Sequence, residues 1–150
     1  MSESKLTMTI GGKPVTTPNL LEVRNPATGA VFATVPDADE AALDAAVAAA
    51  RSAFAAWRQT PWAERAAIVS KIGETIALNA AELSAMLTRE QGKPADQAKT
   101  EIMTSAHWLR STATLTLPDR ETETEPGRKH STRYVPIGVV AAISPWNFPE

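Results

Sequence analysis

The chain has 150 residues, with 15 Lys and Arg against 17 Asp and Glu, a formal net charge of −2 and no cysteine. Near-neutral charge without a basic stripe argues against a nucleic-acid partner, and the lack of cysteine excludes disulfides, thiolate metal sites and a cysteine nucleophile within these residues. No apolar run reaches the roughly 18 to 20 residues that cross a bilayer, and the polar start, Met1-Ser2-Glu3-Ser4-Lys5, lacks a secretory signal, so no membrane partner and a cytoplasmic location are expected.

Residues 1 to 5 read as a loose tail. Leu6 to Ile10, then Gly11-Gly12, then Lys13 to Val15 read as a hairpin, since paired glycines reach the positive φ that a two-residue hairpin turn requires. Leu20 to Val23 and Val31 to Val35 form a second pair of short strands around Asn25-Pro26-Ala27-Thr28-Gly29. Turn chemistry is the favoured reading of that run, with a ligand loop as the alternative.

From Asp37 the period lengthens. Asp37-Ala38-Asp39-Glu40 offers N-cap candidates, with Asp37 and Glu40 at capping-box spacing. Leu43, Val47, Ala50, Phe54 and Trp57 then recur as the apolar stripe of an amphipathic helix, with Phe54 and Trp57 as core anchors. Thr60-Pro61 supplies an N-cap and a first-turn proline for a helix lined by Ile68, Ile72 and Ile76, with Arg65 one turn earlier either snorkelling or paired with a carboxylate. Asn79 and Glu82 have capping-box spacing for the next helix. There Leu83, Met86 and Leu87 continue an apolar face, and Gly92 fits the left-handed position just past the end. Pro94 opens a fourth helix, with Ala98, Ile102, His107, Leu109 and Ala113 on its buried side. His107 reads as structural, because no nucleophile or orienting carboxylate accompanies it.

After Leu117-Pro118 the texture turns polar. Glu121 to Glu125, a Pro126-Gly127-Arg128-Lys129 turn and His130 to Val135 read as an exposed hairpin, whose edges invite pairing. Ile137 to Ile143 is apolar without alternation, the pattern of a strand covered on both faces of a parallel sheet. Ser144-Pro145-Trp146-Asn147-Phe148-Pro149 follows it. Two prolines fix their own φ and push Ser144 and Phe148 away from helix, so Trp146, Asn147 and Phe148 are expected in a stiff, extended loop. The residues alone leave two readings open: a loop whose aromatics fill core, or a fixed amide donor in an apolar pocket.

Val135-Pro136-Ile137-Gly138-Val139-Val140 followed by Ile143-Ser144-Pro145-Trp146-Asn147-Phe148-Pro149 resembles the aldehyde dehydrogenase superfamily. Asn25-Pro26-Ala27-Thr28-Gly29, Ala53-Phe54-Ala55-Ala56-Trp57 and Glu90-Gln91-Gly92-Lys93-Pro94 agree with it in order and spacing. The Pro-Trp-Asn-Phe-Pro run is highly specific, whereas the upstream pieces gain force only together. The resemblance covers nearly the whole chain, but family members run to about three times its length.

The resemblance implies an α/β fold: short β-hairpins, several amphipathic helices, a protruding β-hairpin arm and the start of a parallel Rossmann-like sheet. It divides the chain into 1–117, the N-terminal part of a cofactor-binding domain, 118–136, an oligomerisation arm, and 137–150, the first buried strand and active-site loop, with the catalytic domain absent from this chain. It implies NAD or NADP as cofactor, a small-molecule aldehyde as substrate and a homo-oligomer, dimer or tetramer, assembled through the arm. Asn147 matches the oxyanion-donating asparagine that acts on a cysteine thiohemiacetal. Ile143, Ser144, Pro145 and Trp146 match cofactor contacts, and Phe148 the aldehyde pocket. In relatives the fourth helix borders the substrate entrance, so the resemblance implies that Met103, Trp108 and their neighbours shape specificity, without assigning which. No metal ligand is assigned. The family's nucleophilic cysteine is absent here, its general-base glutamate is expected beyond Glu150, and these 150 residues alone are expected to be inactive. The alternative function is a non-catalytic assembly or interaction module derived from the same family.

Overall fold

The short strands come first because the sequence places its turn residues there. The computed structural model describes residues 6–149, so the tail expected over residues 1 to 5 lies outside the described residues. β1 (Met8–Ile10) and β2 (Lys13–Val15) pair antiparallel around Gly11 and Gly12, whose φ values of 59° and 76° are those of a tight primed turn. β3 (Leu20–Arg24) and β4 (Val31–Pro36) pair in the same sense, with an irregularity between Val23 and Arg24. In their connection the Asn25 side-chain oxygen accepts from the Ala27 N–H at 2.9 Å, and the Asn25 carbonyl accepts from the Gly29 N–H at 2.7 Å. The asparagine thus closes the turn on itself, as short polar side chains do.

Four helices follow: α1 (Glu40–Trp57), α2 (Trp62–Leu78), α3 (Ala80–Gln91) and α4 (Ala95–Ala113). The core lies where α2, α3 and α4 meet. Ala98, Ile102 and Ala106 of α4 are fully buried, Leu87 and Ala80 of α3 join them, and Ile76 and Leu83 pack around this centre. α2 and α4 approach almost backbone to backbone. A Cβ added at Gly73 would lie 2.9 Å from the Ala106 carbonyl oxygen, so only glycine admits that separation. Gly92 ends α3 in the left-handed conformation at φ 72°, as expected. A Cβ there would meet Pro26 Cγ at 2.8 Å, so the joint between α3 and α4 rests on the β3–β4 turn.

The last paired element is the hairpin of β5 (Arg120–Glu125) and β6 (Arg128–Thr132), turned at Pro126 and Gly127 and exposed at every residue. Among the described residues each strand pairs only within its own two-stranded sheet, and no helix is long and apolar enough to cross a membrane.

Several expectations need correction. Asp39, not Asp37, caps α1: its carboxylate accepts from the Ala42 N–H at 2.8 Å. α1 buries no residue, and Phe54 and Trp57 lie partly exposed. α1 packs chiefly on β1, with the Arg65 guanidinium of α2 donating to the Trp57 carbonyl at its end, so most of its stripe lacks a covering layer. Pro61 occupies the N-cap of α2, one position earlier than the first helical residue, and the Thr60 hydroxyl donates back to the Ala56 carbonyl. The Asn79 side chain donates to Thr75 O rather than capping α3. Ile68, Ile72 and Met86 are exposed. α2 turns the neighbouring line of Ala66, Val69, Ser70 and Gly73 inward, because small residues allow the closer approach to α4. Arg65 reaches no carboxylate among the described residues; it donates to the Thr60 carbonyl at 2.6 Å beyond the end of α1. His107 is exposed, with a ring nitrogen 3.3 Å from the Ser111 hydroxyl, so it is no core histidine.

The largest departure is 137–143. No strand pairing forms there, and Ile137 and Ile143 are 90% and 93% exposed. A strand buried on both faces needs neighbours to bond its edges and helices to cover it. The described residues hold neither for this segment. The stretch expected as the first strand of a parallel sheet is therefore an unpaired, exposed run in this chain.

Candidate active-site segment

The segment that closes the chain bends at Trp146, Asn147 and Phe148 rather than running extended. Prolines 145 and 149 bracket the bend, and each removes a backbone donor. Ile143, Ser144, Pro145 and Trp146 form an exposed ledge, with Trp146 83% accessible. Asn147 is exposed as well, and among the described residues its side-chain amide has no hydrogen-bond partner.

Among the described residues the bend is tied by one hydrogen bond to the joint between α3 and α4. The Lys93 ammonium donates to the Asn147 backbone carbonyl at 2.8 Å. The same ammonium forms an ion pair with Glu101 and sits 4.6 Å from the centre of the Phe148 ring. Cation, carboxylate, peptide carbonyl and aromatic face thus converge on one nitrogen. Lys93 emerges between Gly92, held at positive φ, and Pro94, whose ring fixes φ at −52°. Glu101 stands on α4 in line with Ala98 and Ile102 and is only 6% exposed. Its Oε2 takes the Lys93 contact, while Oε1 is buried without a partner among the described residues. A carboxylate at such depth is stable only with its cation in place.

Phe148 also borders a groove of about 570 Å³ along α4, together with Gln97, Thr100, Glu101, Thr104 and Trp108. The structure therefore brings Phe148 and Trp108 together, with the Asn147 peptide beside them. It does not bring Ile143, Ser144, Pro145 or Trp146 to that groove, and Met103 lines a separate, shallower surface with His107. No group of three or more His, Asp or Glu side chains suited to a metal occurs among the described residues.

Sequence reasoning quoted Lys93 without a role and passed over Glu101. A signal existed. Glu101 follows Ala98 by three residues, which puts a carboxylate on the apolar face of α4. A charge on such a face demands a partner.

The chain is 40% identical over 136 residues to glutarate-semialdehyde dehydrogenase of Pseudomonas putida, an alignment covering 86% of this chain and 28% of that protein. It superimposes with a TM-score of 0.90 on succinate-semialdehyde dehydrogenase from Burkholderia pseudomallei, at 36% identity, covering 96% of this chain and 31% of that one. With an NAD-dependent aldehyde dehydrogenase from Sinorhizobium meliloti the TM-score is 0.91 at 32% identity, covering 97% and 31%. The α/β fold is thus that of the matching part of these enzymes, and the chain spans less than a third of their length. The sequence profile of the Aldehyde dehydrogenase family matches residues 14–150.

Proposed function

The chain belongs to the aldehyde dehydrogenase family, and from that premise we propose that it supplies the oxyanion-binding loop for the NAD(P)-dependent oxidation of an aldehyde to a carboxylic acid. The reaction takes place within a longer polypeptide that provides the cysteine nucleophile and the glutamate base. The observation that carries this reading is the state of Asn147: its peptide oxygen is held by Lys93, and its side-chain amide is open beside Phe148.

When a cysteine thiolate adds to an aldehyde, negative charge develops on the former carbonyl oxygen. The Asn147 amide is a neutral donor on a proline-bracketed bend, so it can meet that charge with little reorganisation. Phe148 walls the aldehyde site, and the groove beyond it, with Trp108 on its flank, receives the rest of the substrate. Ile143, Ser144, Pro145 and Trp146 would hold the dinucleotide, which supplies the hydride acceptor. They fit that task in offering exposed apolar surface and backbone groups outside any strand pairing.

The domain boundaries at 117 and 136 follow the same reading. The hairpin within 118–136 is exposed on both strands and pairs with nothing beyond itself among the described residues. Such edges accept a further strand, so the hairpin serves as the arm through which a homo-oligomer assembles.

In the intact enzyme, Asn147→Ala is expected to lower kcat about 10²–10³-fold with cofactor affinity nearly unchanged. Steady-state kinetics with a cofactor titration measure both, and near-normal turnover refutes the oxyanion role.

A further inference from the structure

We propose that Lys93, anchored by the buried Glu101, is a positioning residue that sets the orientation of Asn147; the inference rests on the reading of Asn147 given above. Four observations converge on it. The backbone at Lys93 is bracketed by a left-handed glycine and a proline, so the root of the side chain is fixed. Its ammonium is locked by a carboxylate that is itself almost wholly buried on α4. The next donor direction goes to the Asn147 carbonyl at 2.8 Å, and the Phe148 ring packs over the same nitrogen. Among the described residues this is the one hydrogen bond between 137–149 and the rest of the chain.

The consequence is geometric. A peptide oxygen held in place restrains the plane of the 147–148 peptide, which limits rotation about the Asn147 Cα–C bond and so narrows the directions open to its side chain. Glu101 balances the charge of Lys93, so the clamp orients the loop without adding net charge beside the site. An ion pair that merely closed the α3–α4 joint would not need the Asn147 carbonyl as a third partner.

The test pairs two substitutions, because removing Lys93 alone would strand the Glu101 carboxylate. In the intact enzyme, Lys93→Met combined with Glu101→Gln is expected to lower kcat about 10- to 100-fold. In an Asn147→Ala background the same pair should lower it by less than about threefold, since coupled residues are not additive. Provided that Asn147→Ala is itself impaired, an equal loss in both backgrounds, or no loss in either, overturns the proposal. Amide hydrogen exchange at Trp146, Asn147 and Phe148 gives a readout independent of chemistry. It should accelerate in the paired variant, and unchanged exchange overturns the positioning role whatever Asn147 does in turnover. Conversely, normal turnover in Asn147→Ala with accelerated exchange in the paired variant sinks the oxyanion reading and leaves the clamp standing. Should the paired variant not fold, Glu101→Gln alone is isosteric and releases Lys93, and the same acceleration is expected of it. Unchanged exchange there also overturns the proposal.

Discussion

Helix α4 and the segment 137–143 are both rich in apolar residues, yet they end in opposite environments. Ala98, Ile102 and Ala106 of α4 are fully buried, whereas Ile137 and Ile143 are 90% and 93% exposed. The difference is not hydrophobicity. α4 repeats its apolar residues at helical spacing and meets small residues on α2 and α3, so its own chain supplies the cover. The later segment has a strand's composition without a strand's neighbours. A helix satisfies its backbone internally, while a strand depends on what lies beside it.

The strongest way to break this comparison is to remove its buried side. Ile102→Ala leaves a cavity at the centre of the three helices and is expected to cost about 2–5 kcal/mol of stability. Denaturant unfolding of the purified variant measures it. A loss under about 1 kcal/mol would mean that α4 is no better packed than the exposed segment.

The second test concerns how closely the layer is built. In Gly73→Ala the new Cβ lies 2.9 Å from the Ala106 carbonyl and 3.2 Å from Leu109 Cβ. Backbone on one side leaves little to yield, so α2 must move off α4, at a cost of about 1–3 kcal/mol. Alanine normally favours a helix over glycine by about 1 kcal/mol, so the sign of the effect is informative. A stabilised variant would show that propensity outweighs packing and that the helices are free to part. Thermal melts of the two proteins side by side decide it.

Both tests bear on what the sequence revealed and what it withheld. Turns were legible, because Gly11, Gly12, Gly29 and Gly92 take a positive φ that few other residues adopt, and Asn25 closes its own turn through its side chain. The four helices were legible from their period. The facing of α3 and α4 was legible at Leu83, Leu87, Ala98 and Ile102, whereas that of α2 was not. A stripe of Ile68, Ile72 and Ile76 outweighs Gly73 on any hydrophobicity scale, but close approach is decided by the smallest residues at the crossing. The cap of α1 was legible only as a choice among candidates, because Asp37 and Asp39 both suit the role, and Asp39 takes it. At the candidate site, Asn147 and Phe148 stood out through the prolines around them. The tie from Lys93 to the Asn147 carbonyl did not, since it joins residues 54 apart through a backbone atom that carries no side-chain signature.

The smallest expected effect belongs to the third kind of exposure, that of the hairpin β5–β6. It is exposed because its residues are polar, not because cover is missing. Lys129 and Glu121 approach to 2.7 Å, but their side chains are 64% and 58% accessible. Such pairs gain little, because water solvates each charge nearly as well and two long side chains must be ordered. Lys129→Ala is therefore expected to change the stability of the folded subunit by less than about 0.5 kcal/mol, and raised salt should leave the difference unchanged within error. The same variant also reports on the arm. If a strand of another subunit docks on this hairpin, the pair is partly covered in the assembly. Losing it would then weaken association while the subunit's own unfolding stays put. Denaturant melts at two protein concentrations separate the cases. A concentration-independent loss above about 1 kcal/mol would place the pair within the subunit's own packing, and the polar hairpin would then join α4 on the covered side of the comparison.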